Sequence, residues 1–185
     1  MSTHILPIRV YYEDTDVGGI VYHPNYLKYF ERARTEYLRA KGYDLVSLNS
    51  KNNLQFVIHT AKLEYLQPAR LDQLLYVVSE VESVRPASLV FAQGIYVACR
   101  SELKPSLQTI EESAGGFLQA QRQEHETLPS SEHASVNEQA KSWFDPSDLC
   151  CKAEIRLACV DNQLRPTGLP MNLGMELKKC LQISR

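Results

Sequence analysis

Residues 9–41 read RVYYEDTDVGGIVYHPNYLKYFERARTEYLRAK. Arg9–Glu13 alternates like a strand and runs into an acidic, glycine-bearing turn at Asp14–Gly19. A short apolar step, Ile20–Tyr22, enters a long amphipathic helix at His23-Pro24. Proline suits the first helical position, where its missing N–H leaves no intrahelical bond unmade. Gly42 is a C-terminal stop, with Arg39 and Lys41 placed against the negative end of the helix dipole. Tyr26, Phe30, Ala33, Tyr37 and Ala40 recur at spacings of four and three and form one apolar stripe. Lys28, Glu31, Arg32, Glu36 and Arg39 fall off it. About 18 residues at 1.5 Å each make a rod of roughly 27 Å. A stripe of that length needs a broad apolar surface, and a sheet supplies one.

Working outward, Ile5–Glu13 reads as a first strand with Ile8, Val10 and Tyr12 on one face. Downstream, Leu54–Leu66 has strand character and ends at the turn Gln67-Pro68-Ala69-Arg70. Leu74–Val84 is β-rich, Arg85-Pro86 breaks it, and Ser88–Arg100 resumes. Two tight connections in succession predict an antiparallel meander. In Cys150–Val160 the residues Cys151, Ala153, Ile155, Leu157 and Cys159 alternate with Lys152, Glu154 and Arg156, the pattern of a strand with one buried face. Asp161-Asn162 turns the chain, Arg165-Pro166, Gly168 and Pro170 keep it irregular, and Asn172–Leu181 closes with a short helix. One long helix beside one antiparallel sheet is an α+β layout.

The chain has 185 residues, enough for a single domain with a sizeable core. Its charged fraction of 23% is that of an ordinary globular protein. No apolar run approaches the ~20 residues of a membrane helix, and MSTHILPIRV lacks a secretory pattern. Cytoplasm is the expected compartment. The five cysteines include an adjacent pair, Cys150-Cys151, and form no C-x-x-C, which argues against disulfides and structural zinc. Cys151 and Cys159 are expected as buried free thiols. His125 and His133 have no ligand spacing, so no metal site and no cofactor are expected. Residues 101–149 carry a net charge of −6 and the remainder +4. That segment is rich in Glu, Gln and Ser, with helical character only at Leu107–Glu112 and Phe117–Glu126. It reads as an acidic, solvated insertion in the single domain 1–185, with little apolar surface to offset its ordering entropy. Nothing beyond the slight core charge suggests nucleic acid.

Arg9-Val10, Thr15-Asp16 and Gly19-Ile20-Val21-Tyr22-His23-Pro24-Asn25-Tyr26, in this order and spacing, resemble the active-site signature of hotdog-fold thioesterases of the 4-hydroxybenzoyl-CoA thioesterase family. YYEDTD, VYH and ERARTEYLR are most similar to the bacterial acyl-CoA thioesterase subfamily associated with the Tol-Pal cell-envelope system, as are LEYLQPARLDQLL and SLVFAQGI. The resemblance covers roughly residues 7–100 and 150–173 and omits the insertion. It implies a long helix wrapped by a curved antiparallel sheet of about five strands. It also implies homodimers pairing sheets edge to edge, or homotetramers. The substrate implied is an acyl-CoA or acyl-carrier-protein thioester. The chain contains no G-x-S-x-G elbow, so a serine nucleophile is not expected.

Asp16 matches the family's catalytic carboxylate, as a nucleophile on the thioester carbon or a general base on water. The alternative is an aspartate that caps a turn. The amide of His23, at the start of the helix, matches the oxyanion donor, and Gly19 in the turn is a second backbone candidate. The His23 ring is a candidate for orienting water or protonating the leaving thiolate. Tyr12, Arg70, Arg85 and Ser88 are candidates for holding substrate, with Arg100 and Lys62 as further cations for the phosphates. Asp14 beside Glu13 makes a weaker case for paired carboxylates. His59 reads as structural. A non-catalytic acyl-binding scaffold and an enoyl-CoA hydratase are the rival functions.

Overall fold

A computed structural model describes residues 3–98 and 144–182. The elements are β1 (His4–Arg9), α1 (His23–Ala40), α2 (Leu45–Asn52), β2 (Gln55–Tyr65), β3 (Leu74–Arg85), β4 (Ser88–Val97), β5 (Leu149–Val160) and α3 (Met171–Gln182). The five strands form one antiparallel sheet in the order β1-β3-β4-β5-β2. This is the expected α+β arrangement of one long helix against one sheet.

Two expectations need correction. First, β2 does not pair with β3, so β2-β3-β4 is not a meander; β3, β4 and β5 are the consecutive neighbours. The reason lies in which strands tolerate full burial. β3 and β4 carry long buried runs, whereas β2 holds His59, Thr60, Lys62 and Glu64 in exposed positions. A polar strand belongs at an edge, and a bulge at His59 further disrupts its ladder. Second, the first strand ends at Arg9 instead of Glu13. Tyr12–Asp14 forms a 3-10 turn, because the Asp14 carboxylate accepts from the Tyr11 N–H (2.9 Å) and bends the chain. Tyr12, expected on the core face, is 83% exposed.

The helix follows its sequence closely. Tyr26, Phe30, Ala33 and Tyr37 are buried as expected, and so are Tyr29 and Leu38. They pack on Leu75, Val77, Leu89, Phe91 and Ile155 of the sheet, with Tyr37 edge-on to Phe91 at 5.4 Å. Gly42 stops the helix with φ +80°, a left-handed conformation that glycine adopts without strain. α2 was not legible in the sequence. Asp44 caps it by accepting from the Ser47 N–H (2.8 Å), and Leu48 anchors it in the core. Leu173 and Leu177 of α3 complete the same core.

Arg34 also lies under the helix, only 4% exposed. It donates to Gln93 Oε1 (2.7 Å), and Gln93 Nε2 donates to Ser79 Oγ (2.7 Å) and to the Phe30 carbonyl (3.1 Å). Burial pulls the arginine pKa down to about 10, against an opposing pull from Glu31.

β4 and β5 are adjacent, so the segment between them joins two strands of one hairpin. Arg100, His125, His133, Leu107–Glu112 and Phe117–Glu126 lie outside the described residues. Where description resumes, Phe144 stacks on Tyr96 (ring centroids 4.8 Å) on the sheet face away from α1.

Cys150, Cys151 and Cys159 are buried free thiols. Burial pushes their pKa values up from 9.0 to about 11, 12 and 11. The folded state therefore holds these protons more tightly than the unfolded chain. Their contribution to stability is complete below about pH 9 and shrinks as pH rises toward 12. The urea midpoint is expected to fall between about pH 8.5 and pH 10.5, and to fall less in Cys151→Ala. An equal fall in the two proteins would remove the thiols from the account.

Candidate active site

The turn after the 3-10 segment closes tightly. The Asp16 N–H donates to the Ile20 carbonyl (3.0 Å) and the Gly19 N–H to the Asp16 carbonyl (2.9 Å), while Thr15 and Val21 form a bridge. Gly19 has φ +69°, which the turn requires and a side chain would strain. Asp16 is solvent-exposed, and its Oδ1 accepts from the Gly18 N–H (2.8 Å). The carboxylate thus caps its own turn and still presents itself to solvent. The turn uses the amides of Gly18 and Gly19, so Gly19 is not the free donor the sequence suggested.

His23 opens α1 with no side chain capping the helix start, and Pro24 brings no N–H. The His23 amide is the first of the helix, where backbone donors lack intrahelical partners. The imidazole is exposed and lies edge-on to Tyr22 (4.9 Å) and Tyr65 (6.2 Å). The Tyr65 hydroxyl donates to the His23 carbonyl (3.3 Å). Among the described residues the Asp16 carboxylate bonds the Gly18 amide and not the His23 ring.

Around this junction the chain is stitched together. The Asp14 carbonyl accepts from the Tyr22 N–H (2.8 Å) and from Asn25 Nδ2 (2.9 Å). The Val21 N–H donates to the Ala69 carbonyl (2.8 Å), and the Ala69 N–H to the Tyr26 hydroxyl (3.0 Å). Asp14 itself is buried, unlike exposed Glu13, so the two do not act as a pair. The Tyr29 pKa is pushed up, first by burial and then by the Asp14 carboxylate beside it.

Of the other candidates, Arg70 is brought to the site, because it bridges Ile20 across the turn. Tyr12 lies on the adjacent 3-10 turn, exposed to solvent. Arg85 and Ser88 pair with each other at the far end of β3 and β4. At about 3.3 Å per residue, the strand from Leu74 to Arg85 puts them roughly 35 Å from the turn within one chain. Lys62 is exposed on the edge strand, and His59 sits at the bulge, its Nδ1 3.0 Å from Thr60 Oγ1. Asn25 and Tyr65 also meet at this junction, though neither is a candidate site residue from sequence. The signal for Asn25 is its place between Pro24 and Tyr26 in the signature, within the first turn of the helix.

Among the described residues no group of His, Cys, Asp and Glu is arranged to hold a metal ion, and no helix is long and apolar enough to cross a membrane. What the junction offers is an exposed carboxylate and an uncapped helix start, joined through the Asp14 carbonyl and the Thr15–Val21 bridge.

The chain is similar to known proteins over much of its length. Residues 18–101 match the family model of the thioesterase superfamily. The acyl-CoA thioesterase YbgC of Haemophilus influenzae is 51% identical over 89 residues, which are 48% of this chain and 65% of that protein. YbgC of Helicobacter pylori is 40% identical over 97 residues, 52% of this chain and 70% of that protein. The match thus spans just under two thirds of the first relative's length. Among solved structures, DHNA-CoA thioesterase from Staphylococcus aureus superposes with a TM-score of 0.67 at 17% identity, covering 99% of this chain and 93% of that one. A 4-hydroxybenzoyl CoA thioesterase complexed with 4-hydroxybenzoyl CoA gives 0.65 at 14% identity, covering 97% and 99%. These neighbours have the hotdog fold, a long helix wrapped by a curved antiparallel sheet. The chain belongs to the thioesterase superfamily, with the YbgC acyl-CoA thioesterases as its relatives.

Proposed function

We propose that this protein hydrolyses acyl-CoA thioesters, or the same thioesters on a carrier protein, at the junction of the Asp16 turn and α1. The observation that carries the reading is the Asp14 carbonyl bond pair, which fixes an exposed carboxylate against an uncapped helix start. The names of the YbgC relatives support the substrate class.

The reaction adds water across the C–S bond. Asp16 takes the proton of an attacking water, or attacks the thioester carbon itself to give an anhydride that water then opens. Both routes end in a carboxylic acid and a free thiol. The carbonyl oxygen gains negative charge in the tetrahedral state, and the His23 N–H donates to it, reinforced by the helix dipole. The His23 ring is solvent-exposed at the same helix start and is the candidate donor to the departing sulfur. Arg70, beside the turn, is the cation for the CoA phosphates.

We further assign a homodimer formed through β2. That strand is an edge, with Ile58 and Tyr65 exposed on it and Leu66 exposed just beyond its end. A second copy paired there is the route by which Arg85 and Ser88 reach a site. The free buried thiols suit a reducing compartment, and we assign the protein to the cytoplasm.

Thiol release across a panel of acyl-CoAs and acyl-carrier thioesters tests the function, with turnover of at least one class expected. Tight acyl binding without release would identify a scaffold, and hydration of an enoyl-CoA would identify a hydratase. A finer test uses Gly18. A Cβ there would lie 3.0 Å from Asp16 Oδ1, so Gly18→Ala must displace the carboxylate. A displaced catalytic group is expected to cost about tenfold in kcat with little change in Tm. Unchanged kcat would detach the carboxylate's position from the chemistry.

A further inference from the structure

Asn25 has no part in the reaction scheme above, yet it is 4% exposed, at a helix N-terminus where asparagine usually meets water. Its two nitrogens both point back along the chain. Nδ2 donates to the Asp14 carbonyl (2.9 Å), and the backbone N–H donates to the Tyr22 carbonyl (2.8 Å). The Tyr22 N–H donates to the same Asp14 carbonyl (2.8 Å). Asp14, Tyr22 and Asn25 thus close a ring of three hydrogen bonds. Asp16 leaves this ring two residues after Asp14, and His23 lies inside it between Tyr22 and Asn25.

We infer that Asn25 is a positioning residue that sets the distance between the Asp16 carboxylate and the His23 amide. The inference rests on the hydrolase reading and adds to it a residue that touches no substrate. The physical argument is economy of constraint. Asp16 stands on a solvent-exposed turn that the Thr15–Val21 bridge and the Asp16–Ile20 bond tie to the residues just before α1. The Asp14 carbonyl, at the base of that turn, receives the Tyr22 N–H from the residue that precedes the helix. A second donor on the same carbonyl, from Asn25 inside the first helical turn, ties the turn to the helix itself. A carbonyl oxygen with two lone pairs accepts both bonds in full. Preorganisation of this kind is what catalysis needs, since a displacement near 1 Å is worth about 10²-fold in rate.

The test compares wild type with Asn25→Ala and with Asn25→Asp. The aspartate keeps the shape of the side chain but carries no N–H to donate when ionised. Both variants are expected to lose about 10²-fold in kcat with KM within about twofold of wild type, at a temperature where each is folded. A residue that serves stability alone would lower Tm and leave kcat intact, and kcat within twofold of wild type in either folded variant would overturn the assignment. Failure of both variants to fold would overturn it too, because the amide would then belong to the fold rather than to the site. Amide hydrogen exchange at Tyr22 gives a reading independent of activity. It should quicken at least tenfold in Asn25→Ala, and unchanged exchange would refute the clamp whatever the kinetics. Wild-type protein that releases no thiol from any thioester defeats the hydrolase reading, and the exchange measurement still decides the clamp.

Discussion

Asp16→Asn is expected to lower kcat for thioester hydrolysis by about 10³-fold while the fold and KM stay close to wild type. The substitution isolates chemistry from structure. Asparagine keeps an Oδ1 that can accept from the Gly18 N–H, the bond of 2.8 Å that closes the turn. It cannot take a proton from water at neutral pH, and its amide is a poor nucleophile. Because Asp16 is exposed, no buried charge is removed and no cavity forms. A loss confined to kcat identifies an interaction made in the transition state. Circular dichroism and Tm check the fold. Equal turnover in the two proteins would return Asp16 to the role of a turn-capping residue.

The second large effect is on stability. Gln93→Leu is expected to destabilise the protein by about 3 kcal/mol, because it leaves the buried Arg34 charge without its acceptor. For a chain of this size that lowers Tm by about 10 °C. The Ser79 hydroxyl and the Phe30 carbonyl lose their Gln93 donor at the same time. Adding Arg34→Met should restore most of the loss, since an apolar pair of similar volume needs no polar partner. A thermal melt of the single and double variants measures the coupling. Additive losses would show that Arg34 and Gln93 do not act as a unit.

Much of the fold was legible because it is local. The α1 stripe, the proline start and the glycine stop place the helix at Pro24–Lys41 from sequence, and the structure has His23–Ala40. The alternation in β5 survives from Cys151 to Cys159, and only Cys150 and Val160 at its two ends are buried out of phase. Strand order was not legible, because β2 and β3 are neighbours in sequence and pair with different strands for reasons of total burial. Arg34 was invisible for a related reason. A periodic pattern says that a position faces the sheet, and it does not say that Gln93, fifty-nine residues away, will be there to receive a guanidinium.

The site divides in the same way. Asp16 and His23 can be proposed from sequence because their signature lies within eight residues, and both are solvent-exposed, one on the turn and one at the start of α1. Gly19 is a second oxyanion-donor candidate from sequence, but the turn consumes its amide and that of Gly18. Arg85 and Ser88 were grouped with Arg70 on their chemistry, and the length of β3 separates them within one chain. Tyr65 reaches the His23 carbonyl from the end of the edge strand, a contact that only the folded sheet creates.

The central claim is that the Asp16 turn and the start of α1 form the thioester site. A titration of 15N-labelled protein with a thioether analogue of an acyl-CoA, which binds without being hydrolysed, tests it most directly. The account predicts saturable binding with the largest amide shifts at Gly18, Gly19 and His23. Saturable binding with those amides unmoved would contradict it.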